Sequence, residues 1–126
     1  MTILSTILIV LVALEFFYIL YLETFATTSK ATARVFNVTK AELERPIVVT
    51  LFKNQGVYNG LIGLGLLYSI TFASAPLEIS RLLLIYIILV AAYGSMTSDK
   101  KIILTQGGLA TVSYTHLRAH ETLANL

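Results

Sequence analysis

Apolar residues along this chain are gathered into blocks, with the charges collected between them. "ILSTILIVLVALEFFYILYL" (Ile3 to Leu22) contains a single charge, Glu15. "LIGLGLLYSITFASA" (Leu61 to Ala75) and "LLLIYIILVAAYGSM" (Leu82 to Met96) contain none, and neither does the shorter "IILTQGGLATV" (Ile102 to Val112). Roughly 20 apolar residues span a ~30 Å hydrocarbon core as a helix. The first block meets that length alone; the second and third meet it if their helices begin near Lys53 and Ile79. The pattern predicts helices near Ile3–Leu22, Pro46–Ser74, Ile79–Met96 and Lys101–Val112. The expected fold class is all-α, a small polytopic transmembrane four-helix bundle with up-down-up-down topology and left-handed antiparallel packing. The fourth helix reads as truncated or altered, since its apolar run of about 11 residues covers only ~16 Å.

Composition sharpens this reading. Of 126 residues, 56% are hydrophobic and 13% charged, and mean hydropathy is +0.80, less charge than a soluble domain of this size carries. Cysteine is absent, which excludes disulfides and thiolate metal sites. "MTILST" has no basic residue ahead of the apolar run, unlike a cleaved signal sequence. The net charge of +2 comes mostly from loop lysines and arginines and reports orientation rather than nucleic-acid binding. Lys30, Arg34, Lys40 and Arg45 fall in the first connection, and Lys100 and Lys101 in the third. Basic short loops mark the cytoplasmic side. A cell-membrane protein is therefore expected, with the N-terminus outside and loops one and three cytoplasmic. Its partners would be the lipid bilayer and, as a candidate, further copies of itself. Within the first connection, "TKAE" fits a capping box with Thr39 as N-cap, ahead of a proline, Pro46, that either opens or kinks the second helix.

At 1.5 Å per residue, this topology puts Glu15 about 12 Å into the membrane. Asn54 and Gln55 lie just inside the cytoplasmic interface, with Asn59 some 7 to 9 Å deeper and Gln106 roughly 7 Å in. Tyr93 falls at the same end of the third helix. Four segments thus bring polar groups to one depth range. The expected polar pocket is Glu15, Tyr18, Asn54, Gln55, Tyr58, Asn59, Tyr93 and Gln106. Glu15 is the sharpest signal, because an intramembrane carboxylate is costly and normally faces protein or water. It is expected to face the second helix, with Tyr18 and Asn59 or Gln55 in reach. The competing reading is a structural interhelical hydrogen bond. Glu23 reads as an interfacial charge near Lys53 or Lys100. Gly56, Gly60 and Gly63 form a small-residue strip for close helix packing.

"ALEFFYILYLETF", "NQGVYNG", "AAYGSMT" and "LTQGG", in order and at suitable separations over about Met1 to Leu109, resemble the bacterial family called domain of unknown function 1304. The resemblance implies a four-helix integral membrane protein. It marks Glu15, Tyr18, Glu23, Asn54, Gln55, Tyr58, Asn59, Gly60, Tyr93, Gly94, Gln106 and Gly107 as characteristic positions. Position 16 departs from it: Phe16 stands where the family often has histidine after the glutamate. The resemblance supplies no activity.

Beyond Val112 the pattern breaks. "SYTHLRAHETLANL" is polar where a membrane helix would continue apolar, and "VSYTHLRAHET" resembles translated adapter sequence. Residues 1–112 are therefore expected to form the single domain, with 113–126 a non-native tail. His116 and His120 are spaced to share a helix face, yet lack a third ligand, and no metal or cofactor is expected. No nucleotide loop, catalytic triad order or zinc motif occurs, and no catalytic residue is assigned. The leading expectation is a binding or transport module for a small polar solute, a proton or a lipid headgroup. The alternatives are a redox subunit or lipid-linked enzyme using a quinone or lipid, and a structural assembly protein.

Overall fold

The computed structural model describes residues 1–97 and 107–124, with side chains through Met96 and over 107–119. The described residues form six α-helices and one π-helical turn, with no strand among them. Helix α1 (Ile3–Leu20) starts where the Thr2 hydroxyl accepts from the Ser5 backbone N–H at 3.1 Å, filling one of the donors a helix start leaves open. It runs on into the π turn Tyr21–Phe25, closed by the Ala26 N–H donating to the Tyr21 carbonyl at 2.9 Å. Two short helices follow. Helix α2 (Lys30–Phe36) is capped by Ser29 and ends at Asn37, whose φ of 54° is a left-handed conformation that asparagine tolerates. Helix α3 (Lys40–Leu43) is capped by Thr39, whose hydroxyl accepts from the Glu42 N–H at 3.2 Å. The backbone at Arg45 is extended, as the residue before a proline prefers, and Pro46 opens helix α4 (Pro46–Thr71) rather than kinking a longer one. Helices α5 (Pro76–Thr97) and α6 (Gly108–Ala124) complete the chain.

The four long helices touch in closed order: α1 on α4, α4 on α5, α5 on α6, and α6 back on α1. The α1–α4 pairing is antiparallel. Along α4, Gly56 faces Glu23 and Thr24, Gly60 faces Leu20, and Gly63 faces Phe17 and Ala13. All three glycines are buried. Lacking side chains, they let the two backbones approach. The α4–α5 pairing is antiparallel too: Gly65 faces Leu83, and the buried Ser80 hydroxyl donates to Ser69 Oγ at 2.9 Å. The core joins Ile9, Val12, Ala13 and Phe16 of α1 to Leu66, Leu84, Ile87, Ala110 and Leu117.

Two boundaries differ in ways that matter. Helix α6 does not stop at Val112; it continues to Ala124, through the segment the sequence sets apart. Ala110, Ser113 and Leu117 are spaced three and four apart and are all buried, so the core-facing stripe persists although the other faces turn polar. Its start, expected near Lys101, lies outside the described residues. The first helix, in turn, does not end at Leu22 but widens into the π turn.

The outer faces of α1, α4 and α5 are largely apolar. Leu4, Ile7, Leu11 and Leu14 on α1, Leu51, Leu61, Leu64 and Phe72 on α4, and Leu82, Ile85, Leu89 and Met96 on α5 are all exposed. Two helical stretches are long and apolar enough to cross a bilayer: Ile3–Phe25, with mean hydropathy 2.6, and Pro76–Met96, with 1.9. Helix α4 has the length, 26 residues, but its amides lower its apolarity.

Candidate functional site

The π turn is where polar chemistry enters the bundle. A turn one residue wider than α leaves backbone groups to be satisfied from outside. Threonines do this here. The Thr32 hydroxyl of α2 lies 2.6 Å from the Ala26 carbonyl and 3.1 Å from that of Leu22, and Thr32 is fully buried. The Thr27 hydroxyl donates to the Glu23 carbonyl at 2.6 Å. Helix α2 is thus a polar lid on the turn. On the other side, Gly56 brings the α4 backbone against the turn, and the Thr24 hydroxyl donates to the Lys53 carbonyl at 3.4 Å.

Glu23 sits in the centre of this joint, with 0% of its surface exposed. Its Oε1 accepts a 2.6 Å hydrogen bond from Asn59 Nδ2. Its Oε2 is buried with no hydrogen-bond partner among the described residues. The interfacial role expected for Glu23 is therefore overturned, and its partner is an amide rather than Lys53. The physical reason is register. Glycines at 56, 60 and 63 seat α4 so close to α1 that Glu23 faces α4 and is buried. Ile9, Val12, Phe16, Ile19 and Glu23 follow one another at steps of three and four and share the buried face, but the helix is apolar on every side, so the sequence does not single that face out.

Asn59 also lines a cleft of about 190 Å³ between α1, α4 and α5, together with Gln55, Tyr58, Phe16, Ile62, Tyr86, Ile87 and Val90. Three of the eight pocket residues expected from sequence, Gln55, Tyr58 and Asn59, come together here. The others do not line it. Asn54, Tyr18 and Tyr93 are exposed on the outside of the bundle, and Gln106 lies outside the described residues. Glu15 is half-buried, and its Oε1 has no hydrogen-bond partner among the described residues. At 100° per residue it lies roughly opposite the row Ala13, Phe17, Leu20 and Thr24 that meets α4. It therefore does not reach the amides of α4, contrary to expectation. Phe16, at the position where the resemblance would put histidine, is 3% exposed and forms part of the cleft wall. Among the described residues, no group of three histidines, cysteines or acids is placed to hold a metal.

The site's chemistry is thus a buried carboxyl, an amide linking it to a cleft, a second amide one turn away, and a mostly aromatic and aliphatic remainder. It can donate and accept hydrogen bonds to a small guest.

The chain is 76% identical over 113 residues to the uncharacterised protein YpaA of Lactococcus lactis subsp. lactis (strain IL1403), a match covering 90% of this chain and 95% of that protein. No solved structure matches it. Residues 10–117 match the family model described as "Protein of unknown function (DUF1304)", a span that takes in the second half of α1, the π turn with Glu23, the amides of α4 and the cleft wall of α5. The chain belongs to the DUF1304 family.

Proposed function

We propose that this protein is a multi-pass membrane protein of the binding or transport class, and that the Glu23–Asn59 pair with the adjoining cleft is its site. The bilayer is its partner, and the N-terminus lies outside with the basic first and third connections in the cytoplasm. The outward-facing leucines, isoleucines and aromatics of α1, α4 and α5 support embedding, since soluble monomers rarely expose continuous apolar surface on this scale. In this placement Gln55 and Asn59 open toward the cytoplasmic face, and the site takes a small polar solute, a proton or a lipid headgroup.

One observation carries the reading: Asn59 is shared between the cleft wall and a carboxyl that is fully buried. A purely structural amide pair would need no cleft beside it. A buried carboxyl in a bilayer marks a functional site by default.

The chain has no cysteine, so single-cysteine labelling is clean. Gln55→Cys is expected to react with a water-soluble, membrane-impermeant thiol reagent in inside-out vesicles. Leu64→Cys, on the exposed apolar side of α4, is expected to stay unreacted. Equal reactivity of the two positions, or silence at Gln55→Cys, would remove the water-reachable polar site.

A further inference from the structure

The cleft is graded along its length. Gln55 and Asn59 stand at the end nearer the start of α4, while Ile62, Tyr86 and Phe16 lie further along. Phe16 and Ile87, 3% and 2% exposed, make an apolar wall. None of the eight lining residues carries a charge. Behind Asn59 stands the carboxyl of Glu23, itself buried. A charged guest would lose its hydration here with no charged side chain among the described lining residues to replace it, and an anion would also approach a carboxyl. A long acyl chain alone would leave two amides facing it unpaired. A wholly apolar cavity of ~150 Å³ holds one benzene. This cleft, at about 190 Å³, has room for one ring and a small polar substituent.

We infer that the cleft between α1, α4 and α5 binds a neutral amphipathic molecule the size of one substituted ring. The ring lies against Phe16 and Ile87, and a hydroxyl or carbonyl on it meets the amides of Gln55 and Asn59. This deepens the binding reading above and rests on it. Aromatic walls suit a flat guest through offset or edge-on ring packing. Asn59 has one amide hydrogen committed to Glu23, which leaves its second hydrogen and its carbonyl for the guest. Gln55, which also lines the cleft, supplies a further donor and acceptor.

The probes are p-cresol, toluene and 4-methylbenzoate, three rings of similar size that differ in the polar group. Each is titrated into the detergent-solubilised protein, and the melting temperature is followed by helical circular dichroism. p-Cresol is expected to raise it saturably, and the other two to do so only at about tenfold higher concentration or not at all, the scale of one lost hydrogen bond. Val90→Phe, which changes a half-exposed wall residue and so should fold, is expected to abolish the p-cresol shift. Gln55→Leu is expected to bring p-cresol down to the level of toluene. Leu64→Phe, exposed and off the cleft, should behave as wild type. Toluene matching p-cresol in wild type would mean an apolar or lipid-chain groove and would overturn the inference. So would preference for 4-methylbenzoate, or a p-cresol shift that survives Val90→Phe. If Gln55→Cys reacts from the water phase while no ring shifts the melt, the polar site stands and only this guest is wrong. If Gln55→Cys is silent, the parent reading fails instead.

Discussion

Two glutamates in one helix illustrate how little the identity of a residue says about its burden. Glu23 is fully buried and bonded to Asn59; Glu15 is half-buried with an oxygen that meets no partner among the described residues. Removing them should therefore have unequal effects. Glu23→Gln keeps an acceptor for Asn59 and is expected to unfold near the wild-type midpoint. Glu23→Leu leaves the amide without its acceptor and should cost about 1–3 kcal/mol. Glu15→Leu removes an unpaired polar group from a partly apolar setting and should fall within ~0.5 kcal/mol of wild type, or above it. Denaturant titration in a single detergent reads all three. A destabilised Glu15→Leu beside an unaffected Glu23→Leu would reverse the assignment. In the sequence, Glu15 drew attention because it interrupts an apolar run. Glu23 looked peripheral because it stands at the end of one. Depth along a helix was legible; the direction a side chain faces was not, since a helix that is apolar on every side gives no phase.

At the scale of elements, the glycine strip and the π turn act together. A Cβ at Gly56 would overlap the Thr24 hydroxyl and come within 3.2 Å of the Thr24 backbone nitrogen, which cannot move without the turn. A Cβ at Gly63 would come within 3.2 Å of the Ala13 carbonyl, again backbone. At Gly60 the obstacle is Leu20 Cδ2 at 2.8 Å, the tip of a flexible side chain, and at Gly65 it is Leu83 Cδ1 at 3.3 Å. The order of harm expected for glycine-to-alanine changes is thus Gly56 and Gly63 first, then Gly60, then Gly65. Gly56→Ala should cost about 1–3 kcal/mol, the usual range for overpacking. Gly65→Ala should be neutral or better, because alanine gains up to ~1 kcal/mol over glycine inside a helix. Melting each variant in the same detergent tests the ranking, and equal losses at Gly56 and Gly65 would dissolve the argument for a close α1–α4 contact. The strip itself was visible at spacings of four and three. The partner it serves, and the π turn it presses on, were not, because nothing local in "YLETF" marks the wider turn.

For the whole molecule, the proposed membrane orientation makes the two ends of α4 differ in access. Thr28 is exposed in the basic first connection, and Ser74 is exposed between α4 and α5. Ser29 is less suitable for labelling because it caps α2. On intact cells, an impermeant thiol reagent is expected to modify Ser74→Cys and to reach Thr28→Cys only after permeabilisation. The reverse pattern would invert the orientation, and labelling of both from outside would show that α4 does not separate them.

The placement of the long apolar helices came from elementary chemistry that any window of the chain reports. Apolar blocks near bilayer length, a threonine cap and a proline at a helix start are local signals, and α1, α4 and α5 lie close to where they put them, whereas α2 was not predicted and the fourth long helix ends beyond its expected limit. The end of the last helix was misplaced because the polar residues beyond Val112 were weighed as composition. Only the packed structure shows Leu117 completing a core stripe with Ala110 and Ser113. The same holds for the site. Its amides could be named in advance, because polar residues in an apolar run are conspicuous one at a time. Their partner could not, because pairing Asn59 with Glu23, 36 positions away, depends on the register of two antiparallel helices. That register is decided by how closely glycines let two backbones approach, and close approach is a property of two surfaces meeting, which no single stretch of sequence contains.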